Sequence, residues 1–400
     1  MGAEGVKWIS NNSSPTLARY HGAAGSNTLY SPANQAAATT YFNALAPWGA
    51  TGRVSLRPDG SVSSRCNVNT TSLQTGDNCY SDTDDSGGEQ KMVYIPRFCY
   101  AVDTLTANQV WWWVGQIGDT FRLSDNSANY TFTTTNIHPA FIVDSMVKEG
   151  AYVGAYEAYN SSSVLKSVAG VTPTESTTPT NFRTYAQANG AGWELMTIQA
   201  MSMLKLLYII EYANLASQST LGYGYAAGTI QNTGTTTTYG NASYGDATYT
   251  HNTSPLTYRG VENLYGNMYT LIEGINIKGD YMPWIAPQTN DRTTHPYAWG
   301  AFAAPYVDTT ITVPSGGGFI TAVDTSAANG WAFLPSVCNS GSNSTYFADY
   351  LVTVTSTRLL FMGSAYNNSN VLNTGLFYIG MYATTQSAAG YGARIQYLPQ

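Results

Sequence analysis

One segment, MTIQAMSMLKLLYIIEYA from Met196 to Ala213, limits what this chain can become more than any other. Its spacing reads as a helix with apolar residues on nearly every face, and a helix without a polar stripe has to be enclosed. It is about a third short of a bilayer span once Gln199, Lys205 and Glu211 are set against it. The rest of the chain must therefore wrap it. At 400 residues there is enough material to do so, as one large domain with an appendage or as two domains.

Charged residues make up only 10% of the sequence, so solvation has to come from Asn, Ser, Thr, Gly and Tyr. That balance is unusual for a cytosolic enzyme and common in extracellular or virion adhesins. Lys and Arg total 17 against 24 Asp and Glu, a formal charge of −7 with no basic cluster, which argues against nucleic acid as a partner. An apolar content of 43% with 13% aromatics argues against disorder. The N-terminus MGAEGVKWISNNSSP has no basic region followed by an apolar run, and no stretch suits membrane insertion. Its Met-Gly start resembles a myristoylation signal, but Val6 stands where Ser or Thr is needed. The expectation is folding in a cytosol and delivery by lysis or assembly.

Along the chain, Ser31 as cap and Pro32 in the first turn predict a helix through ANQAAATTYFNAL. Residues 47–90 read as loop, with Pro47, Pro58, Gly60 and the acidic SDTDDSGGE. From Met92 the text turns to strands: MVYIPRFCYAV, VWWWVGQI, TFRLS, HPAFIVDS and AYVGAYEAY. Trp111, Trp112 and Trp113 predict one strand with aromatics on both faces, a packing element rather than a sugar platform. Thr180 to Asn189 suits a short helix. Residues 214–256, rich in Gly, Thr, Asn and Tyr, read as a long and partly hairpin-forming insertion. The many Gly-flanked tyrosines there suit ligand contact or the packing of a fibre-like or trimeric interface. No internal repeat is evident. A few helices beside many irregular strands make an α+β arrangement.

Residues able to carry chemistry are sparse. Cys66, Cys79, Cys99 and Cys338 show no metal-type spacing; Cys66 and Cys79 could bridge the loop between them, or all four stay reduced, Cys99 within a strand. His21, His138, His251 and His295 are far apart, and His138 before Pro139 suits a structural role at the start of a strand. The run Asp82, Asp84, Asp85 lacks the ligand spacing of a calcium loop and reads as a solvated acidic turn. Glu262 with Asn263, and Glu273 with Gly274, sit among turn residues, where the carboxylates suit capping of local amides better than paired acid and base work. No nucleotide-binding glycine motif or nucleophile elbow occurs.

The forty residues from Arg358 to Tyr397, RLLFMGSAYNNSNVLNTGLFYIGMYATTQSAAGYGARIQY, alternate apolar blocks with runs of small polar, Asn and Tyr side chains. The blocks predict buried strands and the runs predict exposed loops on a rigid frame. Tyr, Asn and Ser are also what binding surfaces favour: large amphipathic contact with few torsions to freeze, and adaptable hydrogen bonding.

YRGVENLYGNMYTLIEGINI, from Tyr258 to Ile277, closely resembles a signature of phage tail and adhesin proteins that share a C-type lectin-like fold of the formylglycine-generating-enzyme type. MVYIPRFCY, HPAFIVD, GAYVGAYEAY, LLYIIEYANLASQSTLGYG and RLLFMGS…GLFYI…GAR occur in the same order. The resemblance spans residues 50–400, with a weaker match at GVKWISNNSSPTLAR. It implies an attachment or oligomerisation segment over 1–50 and a lectin-like ligand-binding domain over 51–400, with insertions near 214–256 and 280–350.

Variable proteins of diversity-generating retroelements are members of this group, and in them the closing strands and loops present diversified side chains to a ligand. The matching window here is Ser364 to Tyr391. The resemblance implies contact residues Ala365, Tyr366, Asn367, Asn368, Ser369, Asn370, Val371, Asn373, Tyr378, Met381 and Tyr382. It implies frame residues Arg358, Gly363, Gly375, Leu376, Phe377, Gly392 and Arg394. Ser364 replaces the second glycine of a frequent Gly-Gly pair, and Ala393 fills a usual aromatic slot.

By this resemblance the chain is expected to be a non-catalytic, cofactor-free receptor-binding protein, a homotrimer on a virion carrier, directed at a host-surface protein or glycan. It would sit on a phage tail after cytoplasmic folding, or alternatively on a bacterial surface. A virion decoration protein is the competing reading. The oxidases of this fold need paired cysteines or clustered histidines, which this sequence does not offer.

Overall fold

The computed structural model describes residues 2–67, 88–124, 128–236, 242–243, 254–291, 297–354 and 358–400. Within them the chain forms sheets joined mostly by antiparallel pairing and three α-helices, α1 (Gln35–Asn43), α2 (Pro179–Gln187) and α3 (Ile198–Tyr212). This is an α+β arrangement, as the sequence indicated.

Helix α3 lies within the apolar segment 196–213, and every one of its residues is buried. Thr197 caps it by accepting from the Ala200 amide. It packs against strands Glu4–Ile9, Gln109–Gly115 and Tyr269–Ile277, so different sheets enclose it. Burial forces each of its polar side chains to find a partner. Gln199 donates to the Ala286 carbonyl at 2.8 Å. Glu211 takes a two-pronged ion pair from Arg259, at 2.9 Å from Nε and 2.5 Å from Nη2. Lys205 reaches Met362 Sδ at 3.3 Å and lies over the Phe377 ring, and its burial drives its pKa down to about 7.

A five-stranded sheet runs Thr28–Tyr30, Ala18–His21, Glu4–Ile9, Gln109–Gly115, Cys99–Asp103. Its centre holds the tryptophan strand. Alternation sends Trp111 and Trp113 to one face, stacked at 5.6 Å, and Trp112 to the other, stacked on Trp8 at 6.1 Å. All three are buried, as packing elements must be.

The same sheet corrects the division at residue 50. Glu4–Ile9 is an interior strand paired with Gln109–Gly115, and Ala3, Val6, Trp8, Phe42 and Trp48 belong to the main core. Residues 1–50 are thus part of one folded body, because their apolar side chains have no other core to join. Helix α1 starts at Asn34, whose Oδ1 accepts from the Ala37 amide at 2.9 Å. Ser31 is therefore not the cap; Asn serves equally well and sits nearer the first apolar turn.

A six-stranded sheet runs Trp193–Leu195, Ile395–Tyr397, Gly150–Gly154, Gln90–Pro96, Gly52–Leu56, Val62–Asn67. Two of these strands lie in the stretch 47–90 that composition marks as loop. Gly52–Leu56 pairs on both edges, and its Arg53 is buried against the Tyr156 ring at 4.7 Å, so tertiary pairing overrides the turn-rich text. HPAFIVDS also departs from a plain strand: Pro139–Phe141 is a 3-10 turn, followed by Ile142–Val143. The large sheet runs Val307–Asp308, Pro283–Ile285, Tyr269–Ile277, Arg358–Met362, Ile379–Ala383, Tyr350–Val352, Gly318–Val323, Pro335–Asn339, with Tyr391–Gly392 alongside Tyr269–Ile277. Residues 280–350 thus supply strands on both sides of this sheet. In the 214–256 stretch, Ala242–Ser243 pairs with Leu256–Tyr258, while 237–241 and 244–253 lie outside the described residues.

No helix among the described residues is long and apolar enough to cross a membrane.

Candidate ligand-binding face

Strands Arg358–Met362 and Ile379–Ala383 pair antiparallel in the middle of the large sheet, in register from Arg358 opposite Ala383 to Met362 opposite Ile379. The loop joining them is the centre of the predicted window. Its course is fixed by buried polar groups. Asp349 accepts from the amides of Gly375 and Phe377, the latter at 2.7 Å, and from Gln218 Nε2 at 2.6 Å. Ser217 Oγ accepts from the Leu376 amide at 2.9 Å. Burial still pushes the Asp349 carboxyl up to about 7 against these bonds and against Lys205.

The expected frame residues take these places. At Gly375 a Cβ would come within 2.3 Å of Ser217 Oγ, and at Gly363, with φ +85°, within 3.1 Å of the Tyr265 backbone. Arg394 is buried and donates to the carbonyls of Gly154, Glu262 and Asn263, tying the end of the chain to the turn of the 258–277 segment. Arg358 lies on the Tyr281 ring at 4.0 Å and donates to the Lys278 carbonyl.

The eleven expected contact residues divide. Asn367, Ser369 and Asn370 are exposed, and Tyr366, Asn368, Asn373 and Tyr382 are half-buried. Ala365, Val371, Tyr378 and Met381 are buried, at 0%, 3%, 3% and 1% exposure, so the expectation that they face outward is corrected. Met381 shares a face with Ile379 and packs into the main core, because strand alternation carries it to the α3 side. Ala365 packs in the second core cluster, and Val371 turns inward at the start of the 3-10 turn Val371–Asn373. Tyr378 is buried by packing in the second core cluster, and it also lines a pocket.

That pocket has a volume of about 340 Å³. The buried Tyr269, Tyr378 and Thr374 form its floor, the half-buried Tyr350 and Val352 line it further, and Asn368, Asn370 and Asn373 are its more exposed rim. Four tyrosines build the ground beneath it. Tyr269 meets Tyr378 at 5.5 Å and Tyr391 at 5.1 Å, Tyr391 meets Tyr382 at 5.1 Å, and the Tyr378 and Tyr382 hydroxyls are 3.2 Å apart. Burial raises the phenols of Tyr269, Tyr378 and Tyr391 well above their ordinary range, so they stay neutral donors.

Residues outside the window complete the face. Glu175 accepts from the Tyr366 hydroxyl at 3.2 Å and from the Gly390 amide at 2.5 Å, bracing both ends of the window from a separate loop. Tyr350 belongs to a strand paired in parallel with Ile379–Ala383. Neither carries a sequence signal: PTEST and ADYLV look like ordinary turn and strand text. Tyr269 lies in the signature segment and could have been found there.

The other sequence candidates scatter. His138 is fully buried among Phe98, Tyr100, Phe141 and Trp331, its Nδ1 accepting from the Ala140 amide, and burial pushes its pKa down to about 3. His21 is paired with Glu4 at 2.7 Å. Glu262 caps amides, but not local ones: it accepts from Gly234 and Thr236, in a distant stretch of the chain. Glu273 does not cap amides: it ion-pairs with Arg183, which stacks on Trp299 at 3.9 Å. Cys99 and Cys338 are free thiols, and burial raises Cys99 to about 11. Among the described residues no three His, Cys, Asp or Glu side chains come together in a way that could hold a metal ion. His251, His295, Cys79 and the acidic run at 82–85 lie outside the described residues, as does any test of a Cys66 to Cys79 bridge.

No protein-family model matches the chain, and no curated protein matches it either.

Proposed function

We propose that this chain is a non-catalytic receptor-binding protein, a phage tail adhesin or retroelement-diversified variable protein with the C-type lectin-like fold of the formylglycine-generating-enzyme type. In this reading the loops of residues 364–391 meet a host-surface ligand. The chain works as a homotrimer on a virion carrier, and avidity across copies converts weak contacts into attachment. The observation that carries the reading is the division of labour in the window. Its backbone is held by buried bonds from Asp349 and Ser217, while Asn367, Ser369 and Asn370 stand exposed on it. Side chains placed this way can change identity while the frame persists.

Labelled protein incubated with a panel of bacterial strains tests it. Binding to particular strains is expected, with loss in a Tyr366→Ala, Asn370→Ala double variant that keeps its thermal midpoint. Intact binding in that variant would favour a decoration role.

A further inference from the structure

Resting on that reading, we infer that the pocket floored by Tyr269 and Tyr378 is a subsite for one uncharged saccharide ring, held by Asn370, Asn373 and the Tyr350 hydroxyl. Three observations narrow the ligand to this class.

The first is hydrogen-bonding capacity. Asn368 is spent inside the loop, donating to Thr374 Oγ1 and accepting from the Asn370 amide. Asn367 donates to the Ala389 carbonyl. The carboxamides of Asn370 and Asn373 and the hydroxyl of Tyr350 engage no partner among the described residues, and all three residues line the same pocket. A carboxamide offers donors and an acceptor side by side. That is the complement of a ring hydroxyl, which is both at once.

The second is charge. Among the described residues no carboxylate, ammonium or guanidinium lines the pocket, and the floor phenols stay protonated. An anionic or cationic ligand would give up water there with nothing to replace it. A neutral polyol loses nothing of that kind, and the tyrosine rings give its C–H faces an apolar surface.

The third is shape. At about 340 Å³ the pocket lies at the small end of ligand sites, enough for a ring and too small for a folded epitope. A protein partner would instead need a broad patch with apolar anchors at its centre. None of the exposed large apolar side chains of the described residues lies between 358 and 400.

The test uses the full chain on an array of oligosaccharides ending in glucose, galactose, mannose or N-acetylglucosamine, beside sialylated and sulfated counterparts. Neutral probes should bind and charged ones should not. An Asn370→Ala, Asn373→Ala variant, altered only at the rim, should lose roughly ten- to thirty-fold in affinity, the size of two hydrogen bonds. Tyr350→Ala should weaken binding similarly.

The same proteins are then offered to the strain panel before and after periodate, which cleaves the vicinal diols of sugars. Loss of cell binding on periodate treatment supports the inference. Cell binding that survives periodate and the rim variant overturns the saccharide while leaving receptor binding in place. Tighter binding of charged probes overturns the neutral class. Failure to bind either cells or any probe overturns both.

Discussion

The protein carries two aromatic clusters that do opposite things. In the five-stranded sheet, Trp8, Trp111, Trp112 and Trp113 stack on both faces of the strands and are closed off from solvent. In the large sheet, Tyr269, Tyr378, Tyr382 and Tyr391 pack as closely, but two of them, Tyr269 and Tyr378, also line a pocket rimmed by asparagine. The difference lies in the ring substituent and its surroundings. The indole N–H groups of Trp8, Trp112 and Trp113 have no partner among the described residues, and these rings are held by packing area alone. The tyrosines keep a polar tip, and so they tolerate a position half in the core and half at the surface.

The largest test of this contrast is Trp112→Ala. It should remove about 3–5 kcal/mol of stability, the range for a buried aromatic lost to a cavity, measured as the shift in a urea unfolding curve. Any effect on ligand binding should follow the unfolded fraction alone.

On the other side, Asp349→Ala should cost roughly 3 kcal/mol, because the Gly375 and Phe377 amides and Gln218 would be left without an acceptor. Here the loop at 363–378 should show faster amide exchange than the tryptophan sheet at equal global stability. Equal exchange in both regions would mean that Asp349 does not hold the face.

A smaller effect concerns pH. Glu157 is buried beneath the signature segment, with Asn267 donating to one oxygen at 2.6 Å and the other oxygen without a partner among the described residues, and burial raises its carboxyl to about 8. Between the ordinary carboxylate range and about 8 the folded form holds a proton that the unfolded form has lost. The stability supplied by that proton is present at low pH and falls as pH rises through this window, with a slope of at most about 1.4 kcal/mol per pH unit. Glu157→Gln should flatten the slope, and an unchanged slope would assign it to other groups.

The smallest expected change is Asn370→Ala, which should alter stability by less than about 0.5 kcal/mol because its side chain is exposed and engages no partner among the described residues. A loss well beyond that would mean the rim is part of the frame.

How far sequence alone reached differs between the two clusters. The tryptophan strand was legible because three adjacent indoles on a β-pattern leave neither face free for water. Helix α3 was legible for the same reason, and with it the α+β class. The frame of the closing segment was partly legible too, since Gly363, Gly375 and Arg394 sit where backbone closeness or buried carbonyls require them. Which window side chains face out was not. Alternation assigns Ile379, Met381 and their neighbours to two faces, but both faces of that strand are covered, one by the main core and one by the tyrosines.

By itself, then, the sequence determined that an all-apolar helix would be enclosed, that the tryptophans would pack, and that an asparagine- and serine-rich run would close the chain on a rigid frame. These outcomes come from hydrophobicity and local stereochemistry, which act over a few residues. Only the tertiary structure decided that residues 1–50 join the main core, that Ala365, Val371 and Met381 turn inward, and that Tyr269, Tyr350 and Glu175 meet the window. Those arrangements depend on contacts between residues far apart in the chain, such as Glu175 with Gly390 and Asp349 with Gln218, and no local pattern encodes which distant partner a side chain will meet.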